Sequence, residues 1–525
     1  MSTALSPARV RDLMDGPEPV AVLDIRPKLD YTDGHIEWSV RVPRRLLEQR
    51  LPTLVPDRAV PVVLVDREGD RAKTDANWIE FLGYESVDYL DGGMAAWTEA
   101  GLPTIEAIED VPNTAFNVPS KRFGEQVHVE RDVPALSPAE FEELRSESDV
   151  VVADVRTPEE YREAAIPGAV NLEGVNLARN LATLRDDDQP VVVNCAGRTR
   201  SIIGTATLQR MGVDNVYELE NGTMGWLLAG RDLEHGADRR LVDPELDAER
   251  RAELEAFADD LLADQHIPRV SLAEFDSRLA AEEVTYAVDV RSVDEYQAGH
   301  IPGTLSIPGG QAIQTTDEHF AIRPADIVFV SDSYIRAAVT AYWFAEMGIE
   351  GVSVLDGGID GWTGAGKSLE RGERPKPTLG KEQVEQHVEF ASPDDVAALL
   401  DESTVEVIDV DASWRFSQQH LPGARWVDRY DLDTVLDETS EPVVLTAHDG
   451  TAAALAAAAI DWDRDRRLTV LNGGVSAWNS AGHPTEAGGP ADEVRDDFEK
   501  PWHQGEEAMR AYLEWEVEMG QEFAD

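Results

Sequence analysis

The chain has 525 residues, 42% of them hydrophobic, and 102 acidic against 47 basic residues give it a formal net charge of -55. This length predicts three to five globular domains, because one domain usually spans ~100–200 residues. The acidity disfavours nucleic acid and anionic membranes as partners, and no stretch approaches the ~20 apolar residues of a membrane span. The N-terminus has no apolar core of signal-peptide type, so we expect a soluble, cytoplasmic protein.

The acidic residues are spread along the whole chain, and Arg supplies most of the positive charge. A uniformly acidic, lysine-poor surface is typical of proteins from salt-loving organisms. Electrostatic screening in ~1 M salt acts over about 3 Å, which makes such self-repulsion tolerable. We therefore expect a halophilic source, with a generally acidic protein of an ordinary organism as the alternative.

The same succession of elements occurs four times along the chain. Each copy opens with a short apolar strand that ends in an acid, at Asp24, Asp154, Asp289 and Asp409. An acidic helix start follows, and in the last three copies an Ile/Leu-Pro-Gly turn comes next. A second apolar strand then leads into a polar loop and a helix. The residue directly after this strand is Asp66, Cys195, Ser331 or Ala447 in the four copies. A third strand and a Gly turn close each copy before a tryptophan, at Trp97, Trp226, Trp362 and Trp478.

The spacing inside these copies is constant, since 97−66, 226−195, 362−331 and 478−447 all equal 31. Strands that alternate with helices within ~100 residues predict a mostly parallel sheet flanked by helices. We therefore predict the α/β class, with four tandem domains at residues 4–104, 135–232, 268–367 and 390–484. They are called the first to fourth domains below.

Two segments outside the repeats are predicted to be helical. From Asp243 to Gln265, Leu and Ala recur at helical spacing, and we expect this helix to join the two halves of the chain. Residues 485–525 are predicted to form an acidic helical tail, with Met, Leu and Trp on one side from Glu499 onward. Packing of that tail against a neighbouring domain is favoured over a partner-binding helix.

Cys195 is the single cysteine, which excludes internal disulfides and thiolate metal clusters. A lone cysteine is more often inert, so its surroundings decide. It lies at the carboxyl end of a strand, before a helix expected to start near Ser201, where open α/β sheets bind ligands. Small loop residues, the helix dipole and two guanidiniums predict an ionised nucleophile in an anion-binding cradle. The intervening residues are Ala196, Gly197, Arg198, Thr199 and Arg200.

The strand-Cys-loop-Arg-helix unit, the DVRTPEEY segment, the IPGA turn and the Gly-turn-Trp element together resemble the rhodanese family of sulfurtransferases. In that family six residues run from the Cys to the closing Arg, as from Cys195 to Arg200. A related phosphatase family has one more residue, so the loop length favours sulfur chemistry. The usual loop reads Cys-x-x-Gly-x-Arg, whereas this one has Gly197 at the third place and Arg198 at the fourth. That departure leaves the choice of donor open.

The resemblance implies that the Cys195 thiolate takes a sulfur from thiosulfate or mercaptopyruvate and passes it, through a persulfide, to cyanide or a thiol. It implies no metal and no organic cofactor. The donor is expected to bind at the loop, and Asp154 and Arg156 are expected to brace the loop and sheet. The expected donor-binding residues are Ala196, Gly197, Arg198, Thr199, Arg200 and Ser201.

Two other functions stay open. In the first, Cys195 belongs to a sulfur-relay or binding module that accepts a persulfide from a partner protein. In the second, an inert Cys195 sits in a regulatory scaffold. The first, third and fourth domains lack the cysteine and are predicted to be inactive. The turn histidines His300 and His420 are replaced by Ala165 in the second domain, so we expect no catalytic role for them.

Overall fold

The computed structural model describes residues 2–184, 189–241, 247–281, 285–332, 334–402, 405–440, 442–464, 466, 468–490 and 494–523. The first domain and the linker after it contain the following elements: β1 (Ala4–Leu5), α1 (Pro7–Met14), β2 (Val20–Asp24), α2 (Lys28–Thr32), β3 (Val40–Arg41), a 3-10 turn (Arg44–Leu46), α3 (Leu47–Leu54), β4 (Val62–Val65), α4 (Asp70–Phe81), β5 (Val87–Leu90), α5 (Gly93–Glu99), a 3-10 turn (Pro112–Ala115) and α6 (Val118–Glu130).

The second domain repeats this succession and is followed by a long helix. Its elements are β6 (Ala135–Leu136), α7 (Pro138–Glu147), β7 (Val151–Asp154), α8 (Pro158–Glu163), β8 (Val170–Asn171), α9 (Asn176–Leu184), β9 (Val191–Asn194), α10 (Thr199–Arg210), β10 (Val216–Leu219), α11 (Gly222–Leu228) and then α12 (Ala248–Asp264).

The third domain has one extra short helix and one extra short strand. Its elements are β11 (Arg269–Val270), α13 (Leu272–Ala280), β12 (Tyr286–Asp289), α14 (Val293–Ala298), β13 (Leu305–Ser306), α15 (Gly309–Gln314), α16 (Thr316–His319), β14 (Ile322–Arg323), β15 (Ile327–Val330), α17 (Ile335–Glu346), β16 (Val352–Leu355), α18 (Gly358–Gly364) and then α19 (Lys381–His387).

The fourth domain is followed by the tail. The elements are β17 (Glu389–Ala391), α20 (Pro393–Asp401), β18 (Glu406–Asp409), α21 (Ser413–Gln418), β19 (Arg425–Trp426), α22 (Leu432–Glu438), β20 (Val443–Thr446), α23 (Thr451–Arg464), β21 (Thr469–Leu471), α24 (Gly474–Ser480), α25 (Pro501–Gln504), α26 (Glu506–Gly520) and a 3-10 turn (Gln521–Phe523).

The four sheets share one strand order, which confirms the predicted α/β class. In the second domain the order is β6-β10-β9-β7-β8, and every pair is parallel. In the first domain β14 adds an antiparallel edge next to β2. The central strands are buried along their length because helices cover both faces. Their sequences are therefore dominated by Val, Ile and Leu, with Asn194, Phe329 and Thr446 as the exceptions.

The Gly turn explains the constant spacing of 31 residues. In the second domain the N–H of Thr223 donates to the carbonyl of Cys195 at 2.9 Å, and that of Met224 donates to the carbonyl of Ala196 at 3.1 Å. Gly222 has φ +53°, and a Cβ there would lie 2.2 Å from the Cys195 oxygen. The start of α11 thus holds the loop after β9, and only glycine allows that approach.

The chain divides into two compact units, and each unit contains two of the four domains. One unit comprises residues 1–115, 321–323 and 376–499, and therefore holds the first and fourth domains. The other comprises 116–320, 324–375 and 500–525, with the second and third domains and the end of the tail. The helix predicted from Asp243 to Gln265 is present as α12, although residues 243–246 lie outside the described residues. It lies between the second and third domains, at the middle of the chain as predicted, and these two domains belong to one unit.

The tail predicted to be helical from residue 485 is helical only from Pro501, where α25 and α26 form, and residues 485–490 and 494–500 are not helical. Helix α26 packs against α6 and α11 within its unit. Met509 and Leu513 of α26 are buried beside Met224 of the second domain. These contacts bring the end of the chain to the loop that holds Cys195.

Candidate active site

Cys195 directly follows β9 and begins the loop into α10. The residue is 2% exposed, and its Sγ lies 3.5 Å from the Oγ of Ser201. The backbone N–H of Ser201 also donates to the sulfur. Because α10 begins at Thr199, Ser201 belongs to the first turn, whose N–H groups have no partner inside the helix. The sulfur therefore sits at the positive end of α10.

Both arginines of the loop are engaged by carboxylates. Arg198 donates from Nε to Glu125 Oε1 at 2.5 Å and from Nη2 to Glu125 Oε2 at 3.0 Å. Arg200 forms a two-pronged pair with Glu160, with both nitrogen–oxygen distances at 2.8 Å. Each guanidinium charge is thus balanced before any anion binds. Anion binding by Arg198 and Arg200 stays a prediction.

The thiol is harder to ionise than the sequence predicts. Burial raises the pKa of Cys195 above its ordinary value, and the carboxylate of Glu516 raises it further. Arg200 and the hydrogen bonds from Ser201 act in the opposite direction and lower the pKa. Burial is the largest of these effects, because a charged sulfur loses its hydration in the interior. The prediction of a readily ionised thiol is therefore wrong for this structure.

Two residues of α26 cover the loop at Gly197. A Cβ at Gly197 would come within 2.9 Å of Glu516 Oε2 and 3.7 Å of Tyr512 Cε1. The Tyr512 hydroxyl donates to Glu516 Oε1 at 3.0 Å. The usual pattern has no glycine at the third place of the loop. Here the missing side chain of Gly197 leaves the space that Glu516 of the tail occupies.

The linker helix α6 forms the other wall of the site. It supplies Glu125, the partner of Arg198, and its Gly124 packs so closely that a Cβ would lie 2.9 Å from the Thr199 side chain. Lys121 of the same helix lies 4.7 Å from the ring centre of Tyr512. Burial lowers the pKa of Lys121 to about 8, against the opposing charge of Glu516. The loop is thus enclosed by segments on both sides of the second domain in sequence.

Asp154 and Arg156 lie at the sheet end beside the loop rather than against the thiol. The Arg156 Nη2 donates to Asp154 Oδ2 at 2.7 Å and to the carbonyl of Ala164 at 2.6 Å. Asn194, directly before the cysteine, donates to Asp154 Oδ2 at 3.3 Å. This arrangement ties the ends of β7 and β9 together. A bracing role for the pair stays a prediction that the geometry fits.

The equivalent loop of the first domain contains its own anion. The carboxylate of Asp66 accepts hydrogen bonds from the N–H of Gly69 at 2.5 Å and of Ala72 at 2.8 Å. In the third domain the Ser331 hydroxyl accepts from Ala337 N–H at 3.3 Å. The fourth domain has Ala447 in this place. The strand-to-helix loop therefore presents N–H groups inward, and the first domain fills that cradle with a carboxylate.

The turn histidines have structural contacts. His300 stacks on Tyr296 with ring centres 3.7 Å apart, and its Nδ1 lies 2.9 Å from the Tyr296 carbonyl oxygen. His420 repeats this arrangement on Phe416. Both rings are buried at the turn, and each stacks on the preceding aromatic residue rather than on the strand-to-helix loop. The contacts account for these residues without a catalytic role.

Sequence reasoning missed the carboxylates around the loop. Glu160 had a local signal, because Thr157 and Glu160 form the capping box that starts α8. Glu218 stood in an apolar strand, where a charged residue is unusual. Glu125 and Glu516 had no such signal, since neither belongs to the repeated pattern.

The described part of the chain offers no group of three or more His, Cys, Asp or Glu side chains arranged to hold a metal ion. Among the same residues, no helix has both the length and the apolar character needed to cross a membrane.

Comparison with known proteins identifies relatives over nearly the whole chain. The Rhodanese-like domain model matches residues 6–100, 137–229, 271–365 and 392–481. The crystal structure of a thiosulfate sulfurtransferase from Pseudomonas aeruginosa is 34% identical, with a TM-score of 0.87 over 99% of this chain and 98% of that one.

Two curated proteins match single domains. The thiosulfate sulfurtransferase GlpE of Pseudoalteromonas translucida is 32% identical over 91 residues, which are 17% of this chain and 86% of that protein. The putative sulfur carrier protein YrkF of Bacillus subtilis is 30% identical over 98 residues, which are 19% of this chain and 52% of that protein.

Proposed function

This chain belongs to the rhodanese-like domain family, and we propose that it works as a sulfurtransferase in which Cys195 of the second domain carries the sulfur. One observation carries the proposal. Of the four equivalent strand-to-helix loops, only the loop of the second domain begins with a cysteine, while the other three begin with Asp66, Ser331 and Ala447. The remaining domains then have structural or docking roles.

The reaction proceeds by two displacements. The Cys195 thiolate attacks the outer sulfur of thiosulfate or a similar donor, the donor's sulfur–sulfur bond breaks, and sulfite leaves with the bonding electron pair. A persulfide remains on Cys195. A thiophilic acceptor such as cyanide or a thiol then attacks the outer sulfur, and the Cys195 thiolate is released. No net oxidant or cofactor is consumed in this exchange.

The surroundings of the sulfur support this chemistry. The N–H of Ser201 and the start of α10 place hydrogen-bond donors and positive potential at the negative sulfur of the thiolate or persulfide. The first domain offers a direct analogue, because its cradle holds the Asp66 carboxylate through the N–H groups of Gly69 and Ala72. Arg200 adds a charge that favours the ionised sulfur.

A sulfur-relay function is the second candidate, and the covering of the site favours it. Tyr512 and Glu516 lie over the loop, and the guanidiniums of Arg198 and Arg200 already face carboxylates. A free thiosulfate dianion would therefore meet little unbalanced positive charge. A persulfide presented by a partner protein carries less charge and suits this setting better. One of the curated relatives, YrkF, is named a putative sulfur carrier protein.

The proposal is tested by thiocyanate formation from thiosulfate and cyanide, in ~1 M salt to screen the surface charge. We expect turnover by the wild-type chain, none by Cys195→Ser, and unchanged turnover by the matched variant Ser331→Ala. Equal rates for wild type and Cys195→Ser would overturn the proposal. If thiosulfate gives no turnover and a persulfide forms on Cys195 only with a cysteine desulfurase, the relay function is supported instead.

A further inference from the structure

A line of polar groups leads from the buried thiol towards the surface. Cys195 Sγ lies 3.5 Å from Ser201 Oγ, and Ser201 Oγ lies 3.3 Å from Glu218 Oε2. On its other side, Glu218 Oε1 lies 3.4 Å from His128 Nδ1. Ser201 and Glu218 have no exposed surface, whereas 26% of the His128 side chain is exposed. Ser201 and Glu218 thus form a buried line from the sulfur to the neighbourhood of the partly exposed His128, without a hydrogen bond between Glu218 and His128.

The other three domains act as an internal comparison for this line. Ser201 stands six residues after Cys195, and the matching positions of the cysteine-free domains are all alanine, at Ala72, Ala337 and Ala453. Glu218 pairs with Val193 two residues before the loop. The residues with that register in the other sheets are Tyr89, Val354 and Val470. The hydroxyl and the carboxyl therefore occur together only in the domain that has the cysteine.

A carboxyl in the middle of a parallel sheet is costly, so its presence needs a reason. Packing alone does not provide one, because valine fills this place in two of the other domains. The Glu218 Oε1 accepts no hydrogen bond, although the guanidinium of Arg198 lies 3.8 Å from it. The carboxyl is thus held with Oε2 next to Ser201, and no hydrogen-bond donor neutralises the negative charge at Oε1.

The pKa of Glu218 depends on its burial and on neighbours in α6, in the loop before α10, in α10 and after β10. Burial raises its pKa to about 8, and Glu125 of α6 and Glu220 beyond β10 raise it too, whereas Arg198 and Ser201 lower it. Around Cys195, burial and Glu516 raise the pKa of the thiol, while Arg200 and Ser201 lower it. With a pKa of about 8, the Glu218 carboxylate is a stronger base than an ordinary carboxylate and holds a proton from Ser201 more readily.

We propose that Ser201 and Glu218 form the proton route of Cys195. The inference rests on the proposed function and assigns two more residues to it. The S–H bond of Cys195 breaks and its proton moves to Ser201 Oγ, as the Ser201 hydroxyl proton moves to Glu218 Oε2. The hydroxyl turns from the carbonyl of Arg198, 2.7 Å away, to make this transfer. The products are a thiolate and a neutral carboxyl, and no electrons are exchanged.

The two residues have different parts in this route. Ser201 contacts the reacting sulfur and is a catalytic residue. Glu218 acts through Ser201 and is a positioning residue for the proton. Because the route removes the proton as the sulfur attacks, Cys195 becomes reactive at a pH where its equilibrium thiolate content is still low. A carboxylate that acted through its charge alone would have the opposite effect, since it would make the thiolate harder to form.

The test compares reactivity with ionisation in the full-length chain. Alkylation by iodoacetamide, a neutral reagent, reports on Cys195 alone because the chain has one cysteine. Thiolate content is followed by ultraviolet absorbance against the Cys195→Ser variant. We expect wild-type alkylation to rise at a lower pH than the absorbance does. In Glu218→Gln the two midpoints should coincide, with alkylation at least about tenfold slower at the wild-type midpoint.

Ser201→Ala introduces the residue that the other domains carry and guards against misfolding of the Glu218 variant. It should reproduce the Glu218→Gln profile, and the double variant should show no further loss. Glu220→Gln, a neighbouring glutamate outside the route, should keep the two midpoints apart. Coincident midpoints in the wild type, or faster alkylation in Glu218→Gln, would overturn the proposal. Neither measurement uses a sulfur donor, so the route and the proposed sulfur transfer fail separately.

Discussion

Arg200 and Glu160 form a two-pronged ion pair that ties the end of the Cys195 loop to the start of α8. The third domain has the same pair, with Arg336 and Glu295 at 2.8 and 2.7 Å. In both domains the glutamate also belongs to a capping box. The two pairs thus share one structural role, and they differ in that Arg200 alone stands beside a sulfur, whose pKa it lowers.

Replacing Arg200 with Gln should therefore raise the pKa of Cys195, because the charge that favours the thiolate is lost. It should also lower the free energy of unfolding by about 2 kcal/mol, since Glu160 keeps its charge without a partner. Thiolate absorbance and urea unfolding measure the two effects. Arg336→Gln is the matched control for the thiol, which it should leave unchanged, and it should destabilise the chain at least as much because Arg336 also donates to Asp332 and Asn176. A thiol pKa that is the same in both variants would contradict the assignment.

The tail carboxylate should act on the thiol in the opposite direction. Glu516 raises the pKa of Cys195, so Glu516→Gln should lower it and shift the rise in thiolate absorbance to lower pH. Glu514→Gln, at an exposed position of the same helix, is the control and should leave the midpoint in place. An unchanged midpoint in Glu516→Gln would mean that α26 does not lie over the loop in solution.

The fourth domain should lose stability as the pH rises. Its Asp409 lacks the arginine that follows two residues after the matching aspartates of the other domains, and Asp411 stands there instead. Burial, with Asp411 as a further cause, raises the pKa of Asp409 to about 7 from an ordinary value of 3.8. The folded state keeps a proton that the unfolded state releases, so stability falls between pH about 4 and about 7 and then levels off.

Asp411→Arg supplies the missing cation and should remove most of this slope, which amounts to at most about 4 kcal/mol. Asp411→Asn removes the repulsion without adding a cation and should recover only a part. The free energy of unfolding in urea, measured at several pH values, checks both variants. A wild-type stability that does not change over this pH range would exclude the raised pKa.

The repeated pattern made the fold of each domain predictable. The packing of α6 and α26 against the Cys195 loop could not be predicted from that pattern, because neither helix belongs to it. The constant spacing from Cys195 to Trp226 reflects one physical unit, in which the Gly222 turn donates N–H groups to the loop. Every residue of that unit is close in sequence or lies in a recognisable strand. The α/β class, the parallel pairing and the place of the cysteine after a strand were therefore predicted correctly, whereas the strand order came only from the structure.

The state of the thiol depends on residues that the pattern does not contain. Glu125 reaches Arg198 from 73 residues away in sequence, and Glu516 arrives from the tail. Glu125 sets the surroundings of Arg198, and the charge of Glu516 acts on Cys195 itself, both through contacts that no local spacing predicts. The sequence did contain one overlooked clue, since Gly197 at the third place of the loop is the opening that Glu516 fills.

Uptake of sulfur by Cys195 is measured by the intact mass of the chain after treatment with thiosulfate. We predict a gain of one sulfur atom that cyanide removes and that Cys195→Ser does not show. A chain whose mass stays unchanged, with thiosulfate and with a persulfide-bearing desulfurase alike, would rule out sulfur transfer through Cys195.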